Sequence, residues 1–281
     1  MKTSWRFGLL GENISYSKSP AIFAAIGEYL KQEIRFEPYD VPLLQVWAVV
    51  DRMKSGETDG LAATIPYKKL LSTYVDRCSS EAEAIGAVNC ITTLGTELVG
   101  HNTDWKGFLQ PLQSCRGKLD GAPVMIVGRG GAARAAIYAL RNLGSMGEFT
   151  VVSRERGEPN TLRRAAGDVP IQELTFDEGQ QVKAVTRDCA LIVNATPLGG
   201  GNYPDGGNLT EILDFGPKAI YYDLNYNDNN GLIKKARQSG VTVIDGKRML
   251  VGQALISFNL WTAISVPFEP IYERVFGSSG G

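Results

Sequence analysis

Histidine is almost missing from this chain: of 281 residues only one, His101, is a histidine. A histidine-centred catalytic triad and a histidine-rich zinc site therefore lack the residues they need. The four cysteines are Cys78, Cys90, Cys115 and Cys189, and no two of them form a Cys-x-x-Cys pair. We interpret them as reduced thiols of a cytoplasmic protein, and we expect no metal site.

Long apolar runs and an excess of charge are missing as well. No apolar stretch approaches the roughly 18 residues of a membrane span, and the N-terminus lacks the apolar core of a signal peptide. The formal net charge of −1 gives no reason to expect nucleic acid or an anionic membrane as a partner. A P-loop motif is also absent, which leaves a P-loop kinase unsupported. The hydrophobic content of 43% is that of a globular protein.

The most informative stretch combines a strand pattern with glycines. Residues 124–127 have the length and branching of a buried strand, and Gly128-x-Gly130-x-x-Ala133 follows directly, before an apolar helical pattern. A strand, a glycine turn and a helix in this order predict a dinucleotide site. Gly128 would make the tight turn, Gly130 would let the backbone approach a pyrophosphate, and the helix N-terminus would attract the anion. An ordinary strand–helix turn without a ligand is the alternative.

Further apolar runs of strand length follow this helix. Most of them end in polar residues or in a loop, as the strands of a parallel α/β sheet do. Together with residues 124–127 they predict a second α/β unit around the glycine turn. The runs are 149–152, 191–195, 219–222 and 241–244.

Strand and helix patterns also alternate in the N-terminal part. Ser19 is well placed as the N-cap of the first helix, with Pro20 in its first turn. Ser17 has no such role, and a hydroxyl between a strand and a helix is where open α/β sheets bind ligands. We expect strands at 7–10, 34–39 and 60–65, helices at 20–30, 43–53 and 67–75, a hairpin of 87–93 with 97–102, and a final helix at 249–264.

Proton transfer in a dehydrogenase needs a group that gives or takes the hydroxyl proton during hydride transfer. Because histidine is scarce, a lysine beside a carboxylate is the expected pair. Lys68 lies just beyond the strand predicted to end at Ile65, and Asp104 lies at the start of a helix. Each has an ordinary alternative: Lys68 as a solvated lysine like Lys69, and Asp104 as a cap that stabilises the helix dipole.

Short motifs along nearly the whole chain resemble those of the shikimate dehydrogenase family, in the same order. They are Ser17-Lys-Ser-Pro20, Thr64-Ile-Pro-Tyr-Lys68, Gly86-Ala-Val-Asn89, Asn102-Thr-Asp104, the glycine turn, Asn194-Ala-Thr-Pro197 and Met249-Leu-x-x-Gln253. The resemblance implies a two-domain α/β fold. Residues 1–104 with 246–281 would form a substrate-binding and catalytic domain, to which the C-terminal helix returns, and residues 105–245 a Rossmann-type NAD(P)-binding domain.

The resemblance also implies a reaction of aromatic amino acid biosynthesis, the NADP-dependent reversible reduction of 3-dehydroshikimate to shikimate. Lys68 would be the catalytic acid/base with Asp104 beside it, since an ammonium can protonate the alkoxide that forms as hydride reaches a carbonyl. The partner would be a cyclohexene carboxylic acid, and the protein a monomer or a homodimer. The implied substrate-binding residues are Ser17, Ser19 and Tyr226 for the carboxylate, and Thr64, Asn89, Asp104 and Gln253 for the ring hydroxyls.

Cofactor choice is predicted from the residues after the run 149–152. Arg154 and Arg156 offer two guanidiniums, which suit the 2′-phosphate of NADP. Glu155 lies between them and could point inward instead, so NAD is possible. Arg129 stands in the glycine turn, where the family often has alanine; it would add a phosphate contact or lie in solvent. The other cofactor-binding residues expected are Gly128, Gly130, Gly131, Ala132, Ser153, Asn194, Thr196 and Pro197.

Three places depart from the family pattern. Phe23-Ala24 stands where His-Asn is frequent, Ala62-Ala63 stands for Asn-Val, and residues 225–231 replace the usual Val-Tyr-x-Pro-x-x-Thr-Pro. Because these places lie near the expected substrate edge, quinate and an amino-substituted relative of shikimate remain candidate substrates. A NAD-preferring quinate/shikimate dehydrogenase is one alternative. A non-catalytic ligand-binding relative is another, and retention of the lysine and the aspartate argues against it.

Overall fold

The computed structural model describes residue 2 and residues 4–144, 147–201, 203–227 and 229–277. The chain divides into two compact units, Met1–Gly107 with Leu250–Gly281 (unit 1) and Phe108–Met249 (unit 2). The sequence places the boundaries after residue 104 and before residue 246, and the roles assigned to the two domains stay predictions. In the described part of the chain, every helix is too short or too polar to cross a lipid bilayer.

Each unit is built around one sheet of six strands within the described residues. The strands are β1 (Ser4–Gly11), β2 (Glu33–Asp40), β3 (Gly60–Ala63), β4 (Arg77–Cys78), β5 (Cys90–Leu94) and β6 (Glu97–His101) in unit 1, and β7 (Pro123–Val127), β8 (Glu148–Ser153), β9 (Ile171–Thr175), β10 (Leu191–Asn194), β11 (Ile220–Asp223) and β12 (Thr242–Ile244) in unit 2. The two-domain α/β fold class predicted from the sequence is confirmed.

Helices connect most of these strands. They are α1 (Ser19–Leu30), α2 (Val46–Lys54), α3 (Ser80–Ile85), α4 (Asp104–Leu109), α5 (Arg116–Leu119), α6 (Gly131–Leu143), α7 (Pro159–Ala166), α8 (Gly179–Asp188), α9 (Leu209–Ile212), α10 (Gly231–Gln238), α11 (Lys247–Thr262) and α12 (Phe268–Phe276). The unit boundaries fall inside α4 and α11.

The sheet of unit 1 is mixed and has the order β2-β1-β3-β5-β6-β4. β1 runs parallel to β2 and β3, because α1 and α2 carry the chain back between them. The predicted hairpin is confirmed: β5 and β6 are antiparallel, with Leu94 opposite Glu97 and the turn residue Gly95 at φ +62°. A left-handed φ of this kind suits glycine.

Two predictions about unit 1 are wrong. The helix expected at 67–75 is only a 3-10 turn at Leu70–Thr73, in part because the Lys68 carbonyl accepts a bond from the Val88 N–H (2.8 Å) instead of continuing a helix. Ser19 is not the N-cap of α1: that position is Lys18, which makes no side-chain capping bond, and Ser19 is the first helical residue. Two short elements of unit 1, β4 and α3, were not predicted; α3 is capped by the Ser79 hydroxyl.

The helix α11 packs on the N-terminal part of unit 1, as predicted. Phe258 of α11 lies in one buried cluster with Phe7 of β1 and Phe23 of α1. The Trp261 ring lies so close to Gly60 that no side chain would fit there, and its indole N–H donates to the Ile91 carbonyl (2.9 Å). The aromatic residue at position 23 is thus part of an apolar core.

The sheet of unit 2 is parallel throughout, in the order β12-β11-β10-β7-β8-β9. The order runs one way through β8 and β9 and the other way through β10 to β12, so the strand order reverses beside β7. The carboxyl end of β7 is therefore the point at which doubly wound sheets bind ligands. The five predicted strands are present. The strand β9 was not predicted; it is an edge strand with four of its five residues only half-buried.

Candidate functional site

Lys68 and Asp104 form an ion pair in unit 1, although 36 positions separate them along the chain. The distance from Lys68 Nζ to Asp104 Oδ2 is 2.6 Å. The aspartate side chain is 6% exposed and the lysine side chain 18% exposed. The pair is thus shielded from bulk water, while part of the lysine remains accessible to a small molecule. This arrangement suits an ammonium that gives and takes a proton.

Both carboxylate oxygens of Asp104 have a partner. Lys68 holds Oδ2, and the buried amide of Asn89 donates to Oδ1 (2.8 Å). The Asp104 backbone N–H donates to Asn102 Oδ1 (3.1 Å), which helps to start α4. The Asn102 amide is in turn held by the Ala87 carbonyl (2.9 Å). The carboxylate therefore has one fixed orientation towards the lysine.

A hydroxyl chain connects this centre to α11. Asn89 Oδ1 accepts from the Thr103 N–H (2.7 Å), and the Thr103 and Ser257 hydroxyl oxygens lie 3.1 Å apart. Ser257 donates to the Gln253 carbonyl (2.9 Å). Neither Thr103 nor Ser257 was predicted as a site residue, but Ser257 follows Gln253 by one helical turn and lies on the same face of α11. This spacing was the available signal.

The serines expected to bind a carboxylate lie together before and at the start of α1. The Ser17 hydroxyl donates to Ser19 Oγ (3.2 Å), and Ser17 Oγ accepts from the Ser19 N–H (3.2 Å). Asp40, at the end of β2, fixes the loop between β1 and α1, because its carboxylate accepts hydrogen bonds from the N–H groups of Asn13 (2.7 Å) and Ile14 (3.1 Å). This role of Asp40 was not predicted, because its partners lie in a distant segment of the chain.

Thr64 and Gln253 also belong to unit 1. The Thr64 N–H donates to the Leu10 carbonyl (2.9 Å), which places the residue directly after β3. Gln253 is half-buried on α11, and its amide donates to the Leu250 carbonyl (2.9 Å). Tyr226 lies in unit 2, half-buried in the segment after β11.

The glycine turn of unit 2 contains two glycines with different reasons to be glycine. Gly128 has φ +108°, and a Cβ there would meet the Ala195 backbone at 3.2 Å, so both conformation and space require glycine. Gly130 has an ordinary backbone, φ −70° and ψ −171°, and a Cβ there would meet nothing within 4 Å. The chain itself does not need glycine at position 130. A pyrophosphate that approached the N-terminus of α6 would require glycine at this position, because a side chain would stand in its way.

Three predicted cofactor residues lie at the end of β8 and just after it, and each makes different contacts. The Ser153 hydroxyl donates to the Glu155 carbonyl (2.8 Å). Arg156 binds both carboxylate oxygens of Glu178 through one nitrogen (2.8 and 2.9 Å). Arg154 is exposed and makes no ion pair with any described residue.

Asn194 shapes the loop after β10. Its Oδ1 accepts from the Thr196 N–H (3.1 Å) and hydroxyl (2.7 Å), and its amide donates to Asp223 Oδ2 (3.0 Å). Asp223, which was not predicted as a site residue, also accepts from the hydroxyl of Tyr221 (2.7 Å) and the amide of Asn230 (3.1 Å). Burial raises the pKa of Asp223. This buried network sets the backbone of the loop that carries Thr196 and Pro197.

Two family descriptions match the chain: the shikimate dehydrogenase substrate binding domain over residues 9–91 and the shikimate 5′-dehydrogenase C-terminal domain over residues 246–276. The NADP(+) shikimate dehydrogenase of Chlorobium phaeovibrioides is 34% identical over 98% of this chain and 96% of its own length. The chain belongs to the shikimate dehydrogenase family.

Solved structures of the family have the same fold. The shikimate 5-dehydrogenase of Thermus thermophilus, in complex with NADP(H) and shikimate, is 29% identical with a TM-score of 0.79, over 96% of this chain and 98% of its own. Shikimate dehydrogenase 1 of Peptoclostridium difficile is 28% identical with a TM-score of 0.81, over 97% of each chain.

Proposed function

We propose that this protein catalyses the NADP-dependent, reversible reduction of 3-dehydroshikimate to shikimate. The observation that carries the proposal is the ion pair of Lys68 with Asp104, 2.6 Å long and largely buried. The similar protein from Chlorobium phaeovibrioides, which is named for this activity, also supports the proposal. We further propose that the protein is a monomer or a homodimer.

Lys68 is the proton donor and acceptor of the proposed reaction. NADP(H), when bound, supplies or accepts the hydride. As the carbonyl oxygen gains negative charge, the Lys68 ammonium gives it a proton, and in the reverse direction the amine takes the hydroxyl proton. Asp104 Oδ2 keeps Nζ in place, and Asn89 keeps the carboxylate from turning away.

The substrate is held through its carboxylate and its hydroxyls. Ser17 and Ser19 would donate hydrogen bonds to the carboxylate. Thr64, Asp104 and Gln253 would bind ring hydroxyls, since neutral donor–acceptor groups and a carboxylate suit a polyol. Asn89 is the remaining proposed ligand, but its amide hydrogens already bond Asp104 and Thr103, so it could donate to a hydroxyl only by giving up one of them.

The cofactor is held by unit 2. Gly128 and Gly130 give the pyrophosphate access to the N–H groups of Gly131 and Ala132 at the start of α6. The 2′-phosphate would meet Ser153 and Arg154, with Arg156 in the same segment. The loop of Asn194, Thr196 and Pro197 would contact the rest of the dinucleotide.

A panel of three substrates and two cofactors tests the proposal. Initial rates of NADPH or NADH formation would be measured with shikimate, quinate and aminoshikimate. We expect the highest kcat/KM for shikimate with NADP. A higher value with quinate or aminoshikimate would assign another substrate, and a strong preference for NAD would contradict the cofactor assignment.

A further inference from the structure

Arg129 reaches from the glycine turn across the end of β8. Its Nη1 donates to the Glu155 carbonyl (3.2 Å), and its Nη2 lies 3.5 Å from Glu173 Oε2 on β9. The guanidinium lies against the backbone of Gly157, where any side chain would collide with it. An arginine of the turn that follows β7 therefore lies over the segment that follows β8.

This position of Arg129 matters for cofactor recognition in a dinucleotide-binding sheet. The end of the second strand, here β8, is where the ribose 2′ position of the adenosine is recognised. Arg154 lies in the same segment, exposed and without an ion pair among the described residues. Two guanidiniums suit a doubly charged phosphate because each presents several N–H donors in a planar fork.

The existing contacts leave Arg129 capacity to bind. One hydrogen bond and one long ion pair occupy only part of its five N–H donors. Arg156 differs, since its Nη2 binds both oxygens of Glu178 and its Nε donates to the Glu173 carbonyl (3.4 Å). Arg129 thus has fewer hydrogen bonds to give up than Arg156 when it binds a ligand.

We propose that Arg129 is a specificity-determining residue that binds the 2′-phosphate of NADP together with Arg154. The inference rests on the proposed function, since it presupposes NADP as the cofactor. It assigns the second guanidinium of the subsite to the glycine turn rather than to Arg156. Glu173 neutralises Arg129 in the free protein and keeps it over the end of β8.

Binding of two cofactor fragments tests the inference without catalysis. 2′,5′-ADP carries the 2′-phosphate, and 5′-AMP differs only in lacking it. We expect the unaltered protein to bind 2′,5′-ADP more tightly in isothermal titration calorimetry. Arg129→Ala and Arg154→Ala should each weaken 2′,5′-ADP by about 10-fold or more, as the loss of charge-assisted hydrogen bonds does, and change 5′-AMP by less than about 2-fold.

Arg187→Ala is the matched control, because Arg187 is also an ion-paired arginine of unit 2. It lies at the end of α8, just before β10, and its partner is Asp214. It should leave both affinities unchanged. An unchanged 5′-AMP affinity also shows that a variant is folded.

Three outcomes would overturn the inference. Arg129→Ala could leave 2′,5′-ADP binding intact, it could weaken both fragments equally, or Arg156→Ala could cost more than Arg129→Ala. These outcomes leave the proposed function standing as long as the unaltered protein prefers 2′,5′-ADP. If that preference itself is missing, the assignment of NADP fails first, and the role of Arg129 fails with it.

Discussion

The candidate site of unit 1 is formed by side chains, whereas the candidate site of unit 2 is formed mainly by backbone. In unit 1 the site consists of side chains: both oxygens of Asp104 are bonded, to Lys68 and to Asn89. In unit 2 the glycine turn offers backbone and space, since Gly130 has no neighbour near its missing Cβ. We therefore expect substitutions at the Lys68 site to lower turnover and substitutions in the glycine turn to lower cofactor affinity.

Removal of the lysine should have the largest effect. Lys68→Ala deletes the proposed acid/base, and kcat should fall by about 10²–10⁴-fold, the usual contribution of such a group, with a much smaller change in the KM for shikimate. The exposed neighbour provides the control: Lys69→Ala should keep near-normal kcat. Steady-state kinetics of both variants would decide, and near-normal turnover of Lys68→Ala would remove the lysine from the mechanism.

A methyl group in the glycine turn should affect binding. Gly130→Ala places a Cβ where the pyrophosphate approaches, so the KM for NADP should rise by about 10-fold, equivalent to about 1.4 kcal/mol, while kcat changes little. Gly117→Ala is the control, because a Cβ there also meets nothing within 4 Å. If both variants keep the KM of the unaltered protein, no ligand approaches Gly130 and the contrast between the units fails.

Loss of the Thr103 hydroxyl should have a moderate effect. Thr103→Val keeps the shape but removes the link between Asn89 and Ser257. Because Asp104 would lose part of its support, kcat should fall by about 5-fold, and the unpaired buried groups should lower the free energy of unfolding by about 1–3 kcal/mol. Urea denaturation together with kinetics measures both. If the stability falls while kcat is unchanged, the contacts of the Thr103 hydroxyl stabilise the fold but do not contribute to turnover.

The smallest effect is expected for two adjacent tyrosines in unit 2. The Tyr221 hydroxyl donates to Asp223 (2.7 Å), whereas the buried Tyr222 hydroxyl has no hydrogen-bond partner among the described residues. Tyr221→Phe should therefore lower the free energy of unfolding by about 1 kcal/mol, and Tyr222→Phe should leave it unchanged or raise it. Urea unfolding of the two variants would check this, and equal losses would contradict the difference in pairing.

Local patterns predicted much of the fold. The strand, glycine turn and helix around Gly128 and the hairpin of β5 with β6 are where the sequence placed them. Both depend on residues adjacent in the chain. The helix expected at 67–75 is wrong because the Lys68 carbonyl bonds to Val88, a partner that periodicity does not reveal.

Fewer contacts of the candidate sites could be predicted from the sequence. The scarcity of histidine and the positions of Lys68 and Asp104 made them candidates for an acid/base pair, but each had an ordinary alternative until the family resemblance favoured the pair. The Thr103–Ser257 contact spans 154 positions, so no local pattern contains it. The reach of Arg129 to Glu173 depends on the order of β7, β8 and β9 in the sheet, which a single sequence does not display.

One measurement tests the division between the two units most directly: the NADPH affinity of Lys68→Ala, followed by the fluorescence of the bound cofactor, together with its turnover. We predict a dissociation constant within about 2-fold of the unaltered protein, less than about 0.5 kcal/mol, and a kcat lower by at least about 100-fold. A loss of NADPH affinity as large as the loss of turnover would contradict the account, because the lysine would then act in cofactor binding and not in proton transfer.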